Sequence, residues 1–480
     1  MELDTKTPPC HTSDETSFAY TSAKDRWPTG AIDDVHRTTN KLDASEQEKI
    51  EEGNGIIKGL AALKYELQHN RSLTPLASDG AKDIDYYNEE LSNLPKPVTW
   101  FNVPWLYAEC YLYRRMRTLF APTKHWRNYD VFDKQKIATF KSSRPAVLEL
   151  AAHYRQIITK IQQDSNLVEE NADAKAVEDA ERVLFKEMIE ICLWGNATDL
   201  SLLTNLSYED IQKLQGTSAR KSSEKNILVN DLDKAFDILS AGQKSKLESR
   251  RVDIVLDNAG FELYVDLLLS GYLLATGLAT EVVLHPKNIP WFVSDVLPKD
   301  FAELLNVMAD PQKFYTTPDD DDQEKLQSNA AAPLSESEQS AVRFLFSHWS
   351  ELHADGKLIV RPNIFWTEAG SYWRLPSVAP ELYSDLKESS LVIFKGDLNY
   401  RKLTGDANWD PTTPFSTAIG PLGSPSSGIR VLALRTCKAD VVVGLPQGKD
   451  EELKGEDKSG ARKWAWTGKW AVVQFCDGKK

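Results

Sequence analysis

Asp257 and Asn258 end a strand-like apolar run over Val252–Leu256, just ahead of a Gly turn and a helix that opens at Phe261. Open α/β sheets place ligands at such carboxyl-terminal strand tips, before helix N-termini. A carboxylate beside an amide offers hard oxygen ligands, which suit Mg²⁺, Mn²⁺ or a similar divalent ion. A turn whose side chains cap the next helix is the structural alternative for the same pair. Glu262, one helical turn on, either faces the same crevice or complements the helix dipole. Asp295, in P-W-F-V-S-D-V-L-P, closes another apolar run before Pro298 starts a helix, and alone it reads as a cap. Beside Asp257 and Asn258 it completes a set of carboxylates and an amide oxygen with no His and no thiolate. Such a set leaves positions on a six-coordinate ion for water and a phosphate oxygen.

Further polar clusters follow later strand-like runs. Lys395-Gly396-Asp397-Leu398-Asn399-Tyr400-Arg401 comes directly after Leu391–Phe394. Gly396 permits a tight turn, Asp397 and Asn399 can hydrogen-bond sugar hydroxyls or phosphate, and Arg401 can fork onto a phosphate. The plainer reading is an N-capped helix with a surface Arg. Arg435-Thr436-Cys437-Lys438 follows Val431–Leu434, where Lys438 is either a phosphate anchor or a Lys snorkelling from a strand end. Polar clusters at successive strand tips converge on one rim of a sheet, which favours a functional site.

The elements that must position these residues change character along the chain. Residues 1–40 are rich in Pro, Thr and Asp and read as a flexible N-terminal arm. Residues 41–250 read as a mostly helical N-terminal region. Helical spacing of apolar residues runs over Ala44–Asn70, Pro104–Phe120, Asp133–Gln163 and Ala174–Trp194, with Pro145 breaking or kinking the third segment. The aromatic stripe Trp105–Tyr113 reads as core packing. Residues 251–480 read as an α/β catalytic domain. Short β-branched runs at Val252–Leu256, Glu281–Leu284, Lys357–Val360, Leu391–Phe394, Val431–Leu434 and Ala471–Phe475 predict strands, with Val441–Gly444 a weaker candidate. Helical stretches at Phe261–Leu278, Lys299–Met308, Glu336–His353 and Pro380–Lys387 lie between them. This alternation predicts a three-layer α/β/α sandwich with a mostly parallel sheet. Asp319–Asp322 and Lys449–Lys463 read as solvated surface segments, and Asp319–Asp322 lacks the ligand spacing and Gly of a calcium loop.

Bulk properties narrow the class. A chain of 480 residues with formal charge −14 and no basic patch is unsuited to nucleic acid or anionic membranes. Five scattered cysteines with no C-x-x-C spacing point to a reducing compartment, the cytoplasm by default, and nothing in the sequence excludes the nucleus. The polar, acidic stretch Met1–Ser22 does not read as a secretory signal. Leu263–Leu278, interrupted by Asp266, reads as a buried helix rather than a membrane span.

The motifs V-L-D-N-A-G-F-E, V-S-D, K-G-D-L-N-Y-R-K-L and R-T-C-K-A-D-V-V-V-G-L, with F-A-Y-T-S-A-K-D-R-W-P at Phe18–Pro28, resemble those of the metal-dependent damage-control phosphatases. Arg435–Lys438 matches the R-T-x-K signature of their subfamily III, the sugar-phosphate phosphatases. The resemblance implies hydrolysis of phosphomonoesters such as fructose 1-phosphate and fructose 6-phosphate with Mn²⁺, Co²⁺, Ni²⁺ or Mg²⁺. It places metal ligands at Asp257, Asn258 and Asp295. It places substrate-binding residues at Asp257, Asn258, Glu262, Asp295, Asp397, Leu398, Asn399, Tyr400, Arg401 and Lys438, with Asp257, Asp397 and Lys438 expected in catalysis. Competing readings are an S-adenosylmethionine-dependent protein-glutamate carboxyl methyltransferase, although no Gly-rich adenosine loop follows the first strand, and a sugar-phosphate sensor without turnover.

Overall fold

The computed structural model describes residues 4–26, 30–164, 174–195, 224–317, 332–455 and 462–479. Its centre is a seven-stranded sheet: β1 (Ile227–Asn230), β2 (Arg251–Val255), β3 (Glu281–His285), β4 (Leu358–Val360), β5 (Leu391–Lys395), β6 (Arg430–Thr436) and β7 (Ala471–Asp477). The strand order is β1-β7-β6-β5-β2-β3-β4, and every neighbouring pair is parallel except β6 with β7. The runs are apolar throughout because helices cover both faces. Val252, Ile254, Ile393 and Leu432 pack under the helices Arg144–Asp164, Ala174–Gly195, Phe261–Ala275 and Glu336–Ala354. Val255, Val392, Phe394 and Val431 face the opposite layer, with Leu382, Leu386, Tyr400 and Leu403. The three-layer α/β/α arrangement is therefore realised.

From β2 the chain proceeds to β3 and β4 on one side, and from β5 to β6 and β7 on the other. The strand order thus reverses between β2 and β5, a topological switch point, and ligands bind outside the carboxyl ends of strands at such a crevice. A third core, built on the helices Gln47–Gln68, Asp83–Asn93 and Trp105–Phe120, reaches Trp291, Leu398 and Ala439 beyond the strand tips. The helical region thereby covers the rim where the polar clusters lie.

The elements depart from the sequence expectations in four places. β1 arises at residues 227–230, inside the stretch expected to be helical; a four-residue run carries too little periodicity to stand out. Val441–Gly444 forms no strand, and side chains satisfy the backbone of Val443 instead. Val443 N donates to Tyr400 Oη at 3.2 Å, and Val443 O accepts from Gln474 Nε2 at 2.7 Å. Lys449–Gly455 is a helix rather than a loop. The N-terminal segment is not loose: Cys10 N donates to Asp406 O at 2.7 Å, Thr12 Oγ1 donates to Val103 O at 3.0 Å, and Asp4 pairs with Arg374. Pro145 follows a helix break at Ser143, as expected. Asp319–Asp322 lies outside the described residues. No described helix is long and apolar enough to cross a membrane.

Candidate active site

Parallel pairing of β2 with β5 sets Val255 level with Phe394, so the two chains leave the sheet side by side. Gly396, at φ +82°, passes so close to Asp257 that a Cβ there would lie 1.8 Å from Asp257 Oδ2. Only Gly fits both this approach and this backbone conformation. Neither Asp257 nor Asn258 caps the following helix, whose N-cap is Gly260 with no side-chain hydrogen bond. Both instead point into a buried polar cluster. Asn258 Nδ2 donates to Asp257 Oδ2 at 3.0 Å and to Glu262 Oε2 at 2.8 Å, while Ser294 Oγ donates to Asn258 Oδ1.

Asp295 comes to the same place by a strained loop. Phe292 and Val293 have φ of +43° and +69°, which a β-branched residue such as Val293 rarely adopts. The following residues bridge back onto the β2 tip: Asn258 and Asp295 form an antiparallel bridge, Ala259 N donates to Ser294 O at 2.7 Å, and Val296 N donates to Asp257 O at 2.8 Å. Asp295 is not the cap of the helix Pro298–Ala309, because Asp300 Oδ2 takes the Leu297 N–H at 2.7 Å. Burial chiefly, and then the charges of Asp295, Cys110 and Asp257, push the Tyr372 hydroxyl well above its ordinary value.

The helix Gly396–Leu403 distributes the next cluster around its axis. Asp397 Oδ1 accepts from Arg435 Nε at 2.8 Å and from Lys438 N at 3.0 Å, which ties the β5 tip to the β6 tip. Asn399 Nδ2 donates to Leu256 O at 3.1 Å and to Lys395 O at 2.7 Å, and its Oδ1 accepts from Tyr372 Oη at 2.6 Å. Leu398 and Tyr400 are packed into different cores. Arg401 does not present an open fork. Its Nε and Nη2 donate to Asp406 at 3.1 and 2.9 Å, its Nη1 donates to Glu109 at 2.6 Å, and its plane lies 3.5 Å from the Trp105 ring centre.

Buried cations surround the acids, and sequence reasoning assigned them no role. Lys287, fully buried just past β3, donates to Leu256 O at 2.8 Å and lies 3.4 Å from both Asp295 Oδ2 and Asn399 Oδ1. Lys395, fully buried as the last residue of β5, donates to Glu262 Oε1 at 2.9 Å and Asp266 Oδ1 at 2.7 Å. The signal available was a charge at the end of an apolar strand, since a Lys is seldom fully buried unless paired.

Asp257, Asn258 and Asp295 fit a hard divalent ion: their donors are oxygens, they are buried, and Gly396, lacking a Cβ, lets the Asp257 carboxylate sit against the β5 tip. Asp130, Asp133 and Asp300 also bring carboxylates within 4.8 Å of one another. Two lysines already pair with that cluster. Lys136 Nζ lies 3.0 Å from Asp130 and 2.9 Å from Asp300, and Lys299 pairs with Asp133. Lys136 also donates to Asp295 O at 2.9 Å, so the pairing anchors the Asp295 loop.

The chain is similar to known proteins over nearly its whole length. A family model described as the damage-control phosphatase ARMT1-like domain matches residues 22–453. Damage-control phosphatase ARMT1 of Xenopus laevis is 35% identical over 484 residues, covering 98% of this chain and 99% of that protein. The Homo sapiens protein of the same name is 34% identical over 472 residues, 96% of each chain. A crystal structure of a DUF89 family protein from Pyrococcus horikoshii aligns over 87% of this chain and 93% of that one, at 13% identity and a TM-score of 0.35.

Proposed function

Because the chain belongs to the ARMT1-like damage-control phosphatase domain family, we propose that it is a metal-dependent sugar-phosphate phosphomonoesterase, with fructose 1-phosphate and fructose 6-phosphate as its leading substrates. The observation that carries the reading is the meeting of Asp257, Asn258 and Asp295 at the β2/β5 switch point. These residues would hold Mn²⁺, Co²⁺, Ni²⁺ or Mg²⁺, which when bound supplies Lewis-acid polarisation of a phosphoryl oxygen and a more acidic water.

The remaining steps belong to the chain's own side chains. Lys438 neutralises charge on the equatorial oxygens as a water oxygen bonds to phosphorus and the ester P–O bond breaks. One water proton ends on the departing sugar oxygen. Asp397, aimed by Arg435 and the Lys438 N–H, orients the sugar or the attacking water. Arg401 serves by holding the helix Gly396–Leu403 to Glu109 and Asp406. Asp257 Oδ2 is occupied by Asn258 and crowded by Gly396, which favours water over Asp257 as the nucleophile.

A screen of phosphorylated metabolites against these ions tests the proposal. Hydrolysis of fructose phosphates is expected, with no ³²P retained on the quenched enzyme. Asp257→Ala is expected to fold and to lose both Mn²⁺ binding and at least a thousandfold in turnover; an unchanged rate would reject the site. Lys438→Ala is expected to lose turnover yet keep Mn²⁺ affinity in calorimetric titration.

A further inference from the structure

The Lys395 ammonium is fully buried, and its hydrogen bonds all go to protein groups. Its partners form a line toward the cluster. Lys395 Nζ donates to Glu262 Oε1 at 2.9 Å, and the other oxygen of that carboxylate, Oε2, accepts from Asn258 Nδ2 at 2.8 Å and Asn258 N at 3.3 Å. The Asn258 amide is thereby turned with its nitrogen toward Glu262 and Asp257, and its oxygen toward Ser294 and the Asp295 loop. The same ammonium donates to Asp266 Oδ1 at 2.7 Å and to Cys192 O at 3.0 Å, which fixes it to the helix Phe261–Ala275 and the helix Ala174–Gly195. Glu262 and Asp266 stand one helical turn apart on one face, so a single Lys at the β5 tip serves both.

We infer that Lys395 is a positioning residue for the metal site, acting through Glu262 to hold the Asn258 side chain with its nitrogen turned to Glu262 and its oxygen left for the Asp295 side of the site. The inference rests on the proposed phosphatase reading and gives Glu262 a different role from the substrate contact that the sequence resemblance implies: it orients Asn258. A carboxylate whose two oxygens are taken by Lys395 and Asn258 is suited to aiming a ligand, and such supporting residues set metal affinity.

The test is calorimetric titration of Mn²⁺ alone into the full-length protein and its variants. Lys395→Met and Glu262→Gln are each expected to weaken Mn²⁺ binding by about tenfold or more, a usual effect of losing a ligand's hydrogen-bond partner. Lys395→Arg is expected to restore part of that loss. Asp266→Asn removes the charge of an ammonium partner that does not touch Asn258, and it is expected to leave the affinity within threefold. Should Lys395→Met alone fail to fold, the variant Lys395→Met/Asp266→Asn removes one charge of each sign and carries the same expectation as Lys395→Met. Parent-like affinity in folded Lys395→Met or in that double variant overturns the inference and leaves the phosphatase reading standing. A parent protein that binds no Mn²⁺ overturns the metal site itself, and this inference with it.

Discussion

Gly396 shows how narrowly the site is built at the level of single residues. Its φ of +82° and the 1.8 Å approach of a notional Cβ to Asp257 Oδ2 are separate reasons why no side chain fits. Gly396→Ala is expected to cost about 1–3 kcal/mol in chemical denaturation, through backbone strain and displacement of Asp257. Its Mn²⁺ affinity is expected to fall at least tenfold. Unaltered affinity would mean that Asp257 can move without loss. The carboxylates were legible in the sequence because each ends an apolar run, where an Asp is out of character. Their counter-charges were less so. Lys287 and Lys395 acquire meaning only once the sheet brings β2, β3 and β5 together, since their partners lie 31 and 133 residues away for Leu256 and Glu262.

At the scale of elements, the helix Gly396–Leu403 carries most of what the motif K-G-D-L-N-Y-R encodes, and it does so by pointing successive residues in different directions. Asp397 meets β6, Leu398 enters the core of the N-terminal helices, Asn399 clips onto the β2 and β5 tips, and Tyr400 reaches Gln474 on β7 at 2.8 Å. A linear motif cannot reveal which of its members touch a ligand, because helical geometry separates them by about 100° each. Arg401 illustrates the point. Sequence spacing suggests a phosphate fork, whereas the guanidinium is spent on Glu109, Asp406 and the face of Trp105. Arg401→Lys keeps the charge but loses the planar fork and the stacking. It is expected to destabilise the protein by about 2–3 kcal/mol and to leave KM for a sugar phosphate within threefold. A large rise in KM at unchanged stability would restore Arg401 as a substrate contact.

At the scale of the whole molecule, the N-terminal segment and the helical region form a cover that is sewn onto the α/β core by polar contacts few of which are local. The strands and helices of the core were legible from periodicity. The seam was not, because its partners are scattered: Asp4 with Arg374, Cys10 with Asp406, and Phe18 with Asp440. Asp440 is the seam residue with a measurable signature. It accepts from Phe18 N at 3.0 Å and from Trp466 Nε1 at 2.6 Å, yet burial outweighs both bonds and pushes its carboxyl up to about 6. A carboxyl whose pKa is higher folded than unfolded binds its proton more tightly in the folded state. Its contribution to stability is therefore full below about pH 4, near the ordinary Asp value, and is lost as pH rises through 6. Asp266, pushed to about 6, and Glu368, pushed to about 7, have the same direction for the same first cause, burial. The thermal midpoint is thus expected to decline between pH 5 and pH 7, and Asp440→Asn, which keeps an acceptor but no titrating proton, is expected to make that decline shallower without abolishing it. An identical slope in the variant would show that Asp440 does not contribute to the pH dependence, and that the decline belongs to the other buried carboxyls.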